Sequence, residues 1–207
     1  MNNKTTKNPN DWDEEWQLGP DTLIPAESRN RLTTKYILNL IPDGHRYEIL
    51  DVGGCQFYET FKPIPFIGYT AIDIEKPIAS NGYVGDRLPN GLTYDGKNLP
   101  FERKTFDMIL MGFMLHHASE HSLDLLEQAK KITKNHIIII EDICSTEHPI
   151  EWINSRHEHQ PGGMFRSDKE WRVIFRLMNL TLHRSIILRR EDDLSLLPYR
   201  VLYHLHT

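Results

Sequence analysis

Apolar positions at near-helical spacing, Leu32, Tyr36, Ile37, Leu38 and Leu40, predict a helix over about 27–41 that Pro42 stops. The pattern then changes. Tyr47–Val52 is a short, largely apolar run closed by Gly53-Gly54 and reads as a strand. Gln56–Phe61 has room for one or two helical turns, and Phe66–Asp73 is a second strand. Residues 75–92 carry Pro77, Gly82, Gly85, Pro89 and Gly91 without a helical period, so a loop is expected there. Leu92–Tyr94 and Phe106–Met111 are the third and fourth strands. Leu123, Leu125, Leu126 and Ala129 mark an amphipathic helix over 119–133. The unbroken isoleucines of His136–Glu141 suit a strand buried on both faces. Helices at about 148–156 and 168–179 follow, then two closing strands, Thr181–Leu188 and Tyr199–His206.

Strands alternating with helices mean an α/β fold with a mainly parallel sheet, and two strands in succession at the end suggest an antiparallel hairpin on one edge. The expected architecture is a single three-layer α/β/α domain over 21–207. A polar tail or flap over 1–20 precedes it, with Trp12 and Trp16 set in an acidic run.

Composition narrows the function classes. The 207 residues are 39% apolar and 26% charged, which supports a real core and excludes wholesale disorder. No apolar run approaches the roughly 18 residues a bilayer span needs, and the first residues lack the apolar stretch of a signal peptide. The net charge of −5 argues against a general polyanion-coating role. Two cysteines, Cys55 and Cys144, make no disulfide framework, so a reducing cytoplasm is the expected compartment. Eleven histidines are an excess, and seven fall between His116 and His159.

In an open α/β sheet, ligands bind at the carboxyl ends of the strands. Asp51-Val52-Gly53-Gly54-Cys55 ends the first strand, and its glycines permit close backbone approach. Asp73 ends the second, 22 residues beyond Asp51, where a carboxylate is placed to take both ribose hydroxyls. Asp95-Gly96 follows the third strand and Met111-Gly112-Phe113 the fourth. Acids, glycines and apolar walls suit a nucleoside without phosphates, and neither phosphate-binding glycine motif is present.

This ordered series resembles the class I S-adenosylmethionine-dependent methyltransferases. Its most specific part is Asp95-Gly96-Lys97-Asn98-Leu99-Pro100-Phe101, followed by Phe106-Asp107 and Leu115-His116-His117. The late Phe165–Trp171 stretch, where a serine would cap a helix, also looks like a family feature. The resemblance covers about residues 45–206 and implies a Rossmann-like, seven-stranded sheet with its last strand antiparallel. It implies S-adenosyl-L-methionine as cofactor, with Asp51, Gly53 and Gly54 at the methionine end and Asp73 with Ile74 at the ribose. Asp95 and Gly96 would then stand at the adenine, and Met111 on its wall. The sequence departs from the family's glycine turn at Cys55 and Phe57, where glycines are usual. Phe57 is therefore expected to hinder close approach.

Methyl transfer asks the protein to align an acceptor and, for an oxygen or weakly acidic nitrogen, to remove a proton. Candidate catalytic residues are His116, His117 and Glu141, past the fourth and fifth strands. His157, His159 and Arg166 are candidate substrate contacts. No metal is required, although His157-Glu158-His159 has the alternation that would put two imidazoles on one face. A small-molecule acceptor is expected, because no recognition domain is appended. RNA, tRNA or a nucleotide is the alternative acceptor, with Arg184, Arg189 and Arg190 as its only basic cluster. A non-catalytic binding protein on this fold is the reading that the altered glycine turn suggests. Oligomeric state is not readable from these patterns.

Overall fold

The isoleucines of 137–140 divide by parity. Ile137 and Ile139 pack in one apolar cluster, while Ile138 and Ile140 pack in another. Successive side chains of a strand point to opposite faces, so this strand is covered on both sides. The fourth strand repeats the division, with Ile109 and Met111 on the first face and Met108 and Leu110 on the second.

The computed structural model describes residues 26–42, 44–54, 57–61, 63–74, 91–144, 150, 153–154, 162–189 and 199–207. In chain order the elements are α1 (Ala26–Leu40), β1 (Tyr47–Val52), α2 (Tyr58–Phe61), β2 (Ile67–Asp73), β3 (Gly91–Thr93) and β4 (Phe106–Gly112). A 3₁₀ turn (Ser119–His121) then leads into α3 (Ser122–Ile132), followed by β5 (Thr133–Ile143), α4 (Asp168–Leu177), β6 (Thr181–Arg189) and β7 (Tyr199–His206). The seven strands form one sheet in the order β3-β2-β1-β4-β5-β7-β6. Pairings from β3 through β5 are parallel, and β7 runs antiparallel to both of its neighbours, β5 and β6. This is the mainly parallel α/β sheet expected from the pattern, in the Rossmann-like, seven-stranded form that the resemblance implies. The reversal of order at β1 and β4 creates the crevice at the strands' carboxyl ends.

Leu125, Leu126 and Ala129 of α3 and Trp171 and Phe175 of α4 cover one face. Tyr36 and Ile37 of α1 and Phe61 of α2 cover the other. Strand β5 is longer than the isoleucine run indicated, because Thr133 pairs with Phe106 at one end and Ile143 with Tyr199 at the other. Helix α4 stops at Leu177, two residues before the expected end, and Asn179 takes the left-handed conformation at φ 53°. The expected helix at 148–156 lies mostly outside the described residues, although Ile150, Ile153 and Asn154 are helical. The segment 1–20 and the loop residues 75–90 also lie outside them.

Helix α4 starts on a reciprocal cap. The Ser167 hydroxyl accepts from the Glu170 amide, while the Glu170 carboxylate accepts from the Ser167 amide at 2.7 Å. Glu170 is pulled below its ordinary range chiefly by that backbone hydrogen bond. Ser167→Ala is expected to cost about 1 kcal/mol, read as a lower urea midpoint at unchanged slope.

Candidate active site

Strand β1 carries Asp51, ends at Val52 and passes into a turn that favours glycine. Gly53 has φ 83°, and a Cβ there would lie 2.4 Å from Met114 Cβ. Two segments, 51–54 and 113–118, therefore meet across a backbone with no side chain between them. The Gly53 amide donates to the Ile72 carbonyl at 2.8 Å, fixing the turn to β2.

The Asp51 carboxylate is buried beneath this turn. It accepts from the Tyr69 hydroxyl and from the Phe57 amide. Burial nevertheless pushes its pKa up to about 7, because desolvation outweighs those two hydrogen bonds. Phe57 itself turns away from the crevice. Its ring is buried on the α1 side of the sheet, 6.3 Å from the Phe61 ring. The hindrance expected from a phenylalanine in the glycine turn thus does not arise from its side chain, and its amide helps to hold Asp51. Cys55 lies outside the described residues.

The crevice is a cavity of about 350 Å³. Its floor and one wall come from Gly53, Asp73, Ile74, Tyr94, Asp95, Gly96 and Lys97. Asp73 closes β2, and its Oδ1 accepts from the Ile74 amide at 2.7 Å. The next strand is tied to the same residue, since the Tyr94 amide donates to the Asp73 carbonyl at 3.1 Å. Asp95 organises a tight turn, with Oδ1 accepting from the Lys97 and Asn98 amides and Oδ2 from the Asn98 side chain. The Asn98 side-chain amide and these backbone amides pull its pKa down to about 2. Gly96 follows at φ 79°, with room for only a tight contact between an added Cβ and Ile74 Cγ2 at 3.2 Å. Between Asp73 and Asp95, the Tyr94 hydroxyl is raised to about 12 by burial and by both carboxylates.

The opposite wall is built from Phe113, Met114, His117, Ala118 and His121. Phe113 sits at φ 56°, an uncommon conformation for a bulky residue. Its amide donates to the Ile140 carbonyl at 2.8 Å, and the Arg200 guanidinium lies over its ring at 4.1 Å. Arg200 is itself held by Asp142 Oδ1 at 2.8 Å.

Behind this wall lies a buried pair. Glu141 Oε2 is 2.6 Å from His116 Nδ1, and Glu141 Oε1 accepts from the Leu115 amide at 2.9 Å. Burial raises the Glu141 pKa against these contacts. His116 is only 2% exposed, and its Nε2 has no hydrogen-bond partner among the described residues. Its ring is sandwiched between Phe165, centroids 4.8 Å apart, and His117, centroids 4.1 Å apart. His117 is exposed on the cavity side, and burial together with His116 lowers its pKa. A neutral imidazole with a proton-accepting nitrogen therefore faces the cavity at neutral pH.

The structure brings Gly53, Asp73, Ile74, Asp95, Gly96 and His117 onto one cavity surface. Asp51 and the His116–Glu141 pair stand behind it. Met111 is fully buried in the core, and the walls are formed instead by Phe113 and Met114, just beyond it. Arg166 packs its guanidinium over Trp171 at 5.0 Å and donates to Ser122 Oγ at 3.0 Å. His157 and His159 lie outside the described residues. Sequence reasoning did not single out Tyr94, Met114 or His121. The available signal was position for Tyr94 and Met114, which fall within two residues of the ends of β3 and β4, whereas His121 comes from the 3₁₀ turn farther along.

Residues 50–140 match a family model described as a methyltransferase domain. No curated protein sequence matches the chain. Among solved structures, the chain is similar to one from the complex of the Haloferax volcanii Trm112 methyltransferase activator with its methyltransferase. The two are 17% identical with a TM-score of 0.63, over 87% of this chain and 91% of that one. It is also similar to geranyl diphosphate C-methyltransferase from Streptomyces coelicolor A3(2), at 11% identity and TM-score 0.61, over 91% and 85% of the two chains. The [4+2]-cyclase SpnF is a third, at 12% identity and TM-score 0.66, over 93% and 85%. At such identities these likenesses speak to the fold.

The Asp51 environment sets a pH dependence. Unfolded Asp51 ionises near 3.8 and folded Asp51 near 7, so its contribution favours folding at low pH and is lost as pH rises through that window. Asp51→Asn does not titrate. The variant's stability relative to the parent is expected to rise from pH 5 to pH 8, by on the order of 2–4 kcal/mol in paired urea unfolding curves.

Proposed function

We infer that this chain, a class I S-adenosylmethionine-dependent methyltransferase by its domain and fold, passes a methyl group to a small-molecule acceptor seated against His117. The observation that carries this reading is the cavity of about 350 Å³ with two strand-end carboxylates on one side and a neutral-leaning histidine on the other. That volume lies in the range of small-ligand pockets.

The residues fit the cofactor. Its cradle is a place a Cβ would fill, since Gly53 already touches Met114, and Gly96 leaves Ile74 only a tight contact. In this reading Asp73 holds the ribose hydroxyls, with Ile74 beneath the sugar. Asp95 and Gly96 hold the base edge, and Gly53 and Gly54 border the amino-acid end. Asp51 acts from behind, holding the glycine turn through Tyr69 and the Phe57 amide. When bound, the cofactor supplies an electrophilic methyl group on a sulfonium.

The protein's own chemistry is alignment and proton removal. His117 accepts the acceptor's proton at a ring nitrogen. His116 and Glu141 are positioning residues: they pack and anchor the segment that carries His117. Arg166 and the 157–159 histidines would border the acceptor from the segment following β5. The RNA reading draws on Arg184, Arg189 and Arg190: Arg184 sits in the first half of β6, toward the opposite end of the sheet from the cavity, Arg189 is the last residue of β6, and Arg190 lies outside the described residues. Among the described residues no helix is long and apolar enough to cross a membrane.

Calorimetric titration tests the site. Asp73→Ala is expected to weaken S-adenosylhomocysteine binding at least about tenfold, because it removes a charged hydrogen-bond acceptor. Unchanged affinity would overturn the assignment. His117→Ala is expected to leave that affinity within a factor of about two while lowering turnover with an oxygen or nitrogen acceptor by about a hundredfold.

A further inference from the structure

At the other end of the sheet, the apolar stripe that faces α1 gives way to histidine. On β5 the stripe runs Ile140, Ile138, His136, and on β7 it runs Leu202, His204, His206. Register places His136 directly opposite His206, with His204 on the diagonal. Side chains two apart on a strand share a face, so all three imidazoles converge. One ring nitrogen from each lies within 4.8 Å of the others.

We propose that His136, His204 and His206 form a binding site for a borderline transition-metal cation of the Zn²⁺ class, remote from the methyltransferase cavity. Three observations support it. The first is spacing. His136 Nδ1 and His204 Nε2 are 3.0 Å apart, and a tetrahedral ion with bonds of 2.0–2.1 Å separates its ligand atoms by about 3.3 Å. The pair needs to open only slightly. The second is orientation. The Tyr36 hydroxyl lies 2.8 Å from His204 Nδ1, on the side away from His136. A proton on Nδ1 donated to Tyr36 leaves the Nε2 lone pair aimed into the cluster, the outer-shell arrangement metal-binding histidines use. The third is access. His204 is buried, whereas His206 is partly exposed and His183 is exposed, with the His183 ring centroid 5.0 Å from both His204 and His206.

Imidazole donors select Zn²⁺, Ni²⁺ or Cu²⁺ over Mg²⁺ and Ca²⁺. The ion takes the place of the proton between His136 and His204, and that proton moves to the other nitrogen of His136. The fourth position is left to water or to His183. The bound ion would pin the start of β5 to the end of β7.

The test uses the full chain, purified without a histidine tag and stripped with chelator. Titration with Zn²⁺ alone is expected to show one equivalent bound with micromolar or tighter affinity. His136→Asn and His206→Asn are each expected to weaken it at least about tenfold, with Tyr36→Phe a smaller loss. Zn²⁺ is expected to raise the Tm of the parent chain and not that of His206→Asn. A paired His157→Asn, His159→Asn chain is expected to bind as the parent does. No binding at 100 µM Zn²⁺ (on the order of a hundred times the expected Kd) would overturn the proposal. So would binding that survives both His136→Asn and His206→Asn, or that disappears with His157 and His159. S-adenosylhomocysteine affinity, measured on the same samples, reports separately on the cofactor site.

Discussion

Glu141 ties the end of β5 to the segment after β4 that forms one wall of the candidate site. It stands on β5, yet its carboxylate is spent on β4's continuation, taking the Leu115 amide and His116 Nδ1. A buried carboxylate without such partners would be costly, so the 113–118 segment is drawn into one position against β5. Two further consequences follow from that placement. Met114 comes to rest against Gly53, closing the turn after β1. Phe113 is forced into a left-handed backbone conformation and turned onto the cavity, where Arg200 covers it. Strain of this kind collects where surrounding structure over-determines a residue, and here it marks the wall of the cavity.

The two ends of the sheet solve opposite electrostatic problems. At the carboxyl ends, Asp51, Asp73, Asp95, Glu141 and Asp142 gather, and the protein disperses their charge through backbone amides, Tyr69, His116 and Arg200. At the other end, His136, His204 and His206 crowd together beside His183, and burial with the neighbouring rings lowers the proton affinity of those three. Parallel pairing produces the first crowd and the antiparallel β7 the second, because strand ends bring residues from different elements into one layer.

That origin explains what was readable in the sequence. Strand ends carrying Asp51, Asp73 and Asp95 could be placed because each follows its own short apolar run. Their convergence then follows from parallel pairing. The glycine turn was harder. Phe57 sits where a glycine is usual, and sequence gives no sign that its ring enters the core beside Phe61 while its amide serves Asp51. The resemblance puts Met111 on the wall, but parity sends it into the α3 face of the core. The wall begins two residues later, where the chain leaves the strand. The histidine cluster was hidden for another reason. Residues 136, 183, 204 and 206 are far apart in sequence and come from three strands. Only the antiparallel register of β7 brings them together.

Of the seven described strands β7 comes latest in the sequence, yet it lies inside the sheet, between β5 and β6. While the chain emerges from the ribosome, β1 to β5 can pair as they appear, but β6 has nothing to pair with until residues 199–206 are made. During that interval β5 is an edge, and its isoleucine run lies beside unpaired backbone groups, the kind of surface on which nascent chains pair with one another. The late strand that completes the sheet thus also decides how long the growing chain depends on protection.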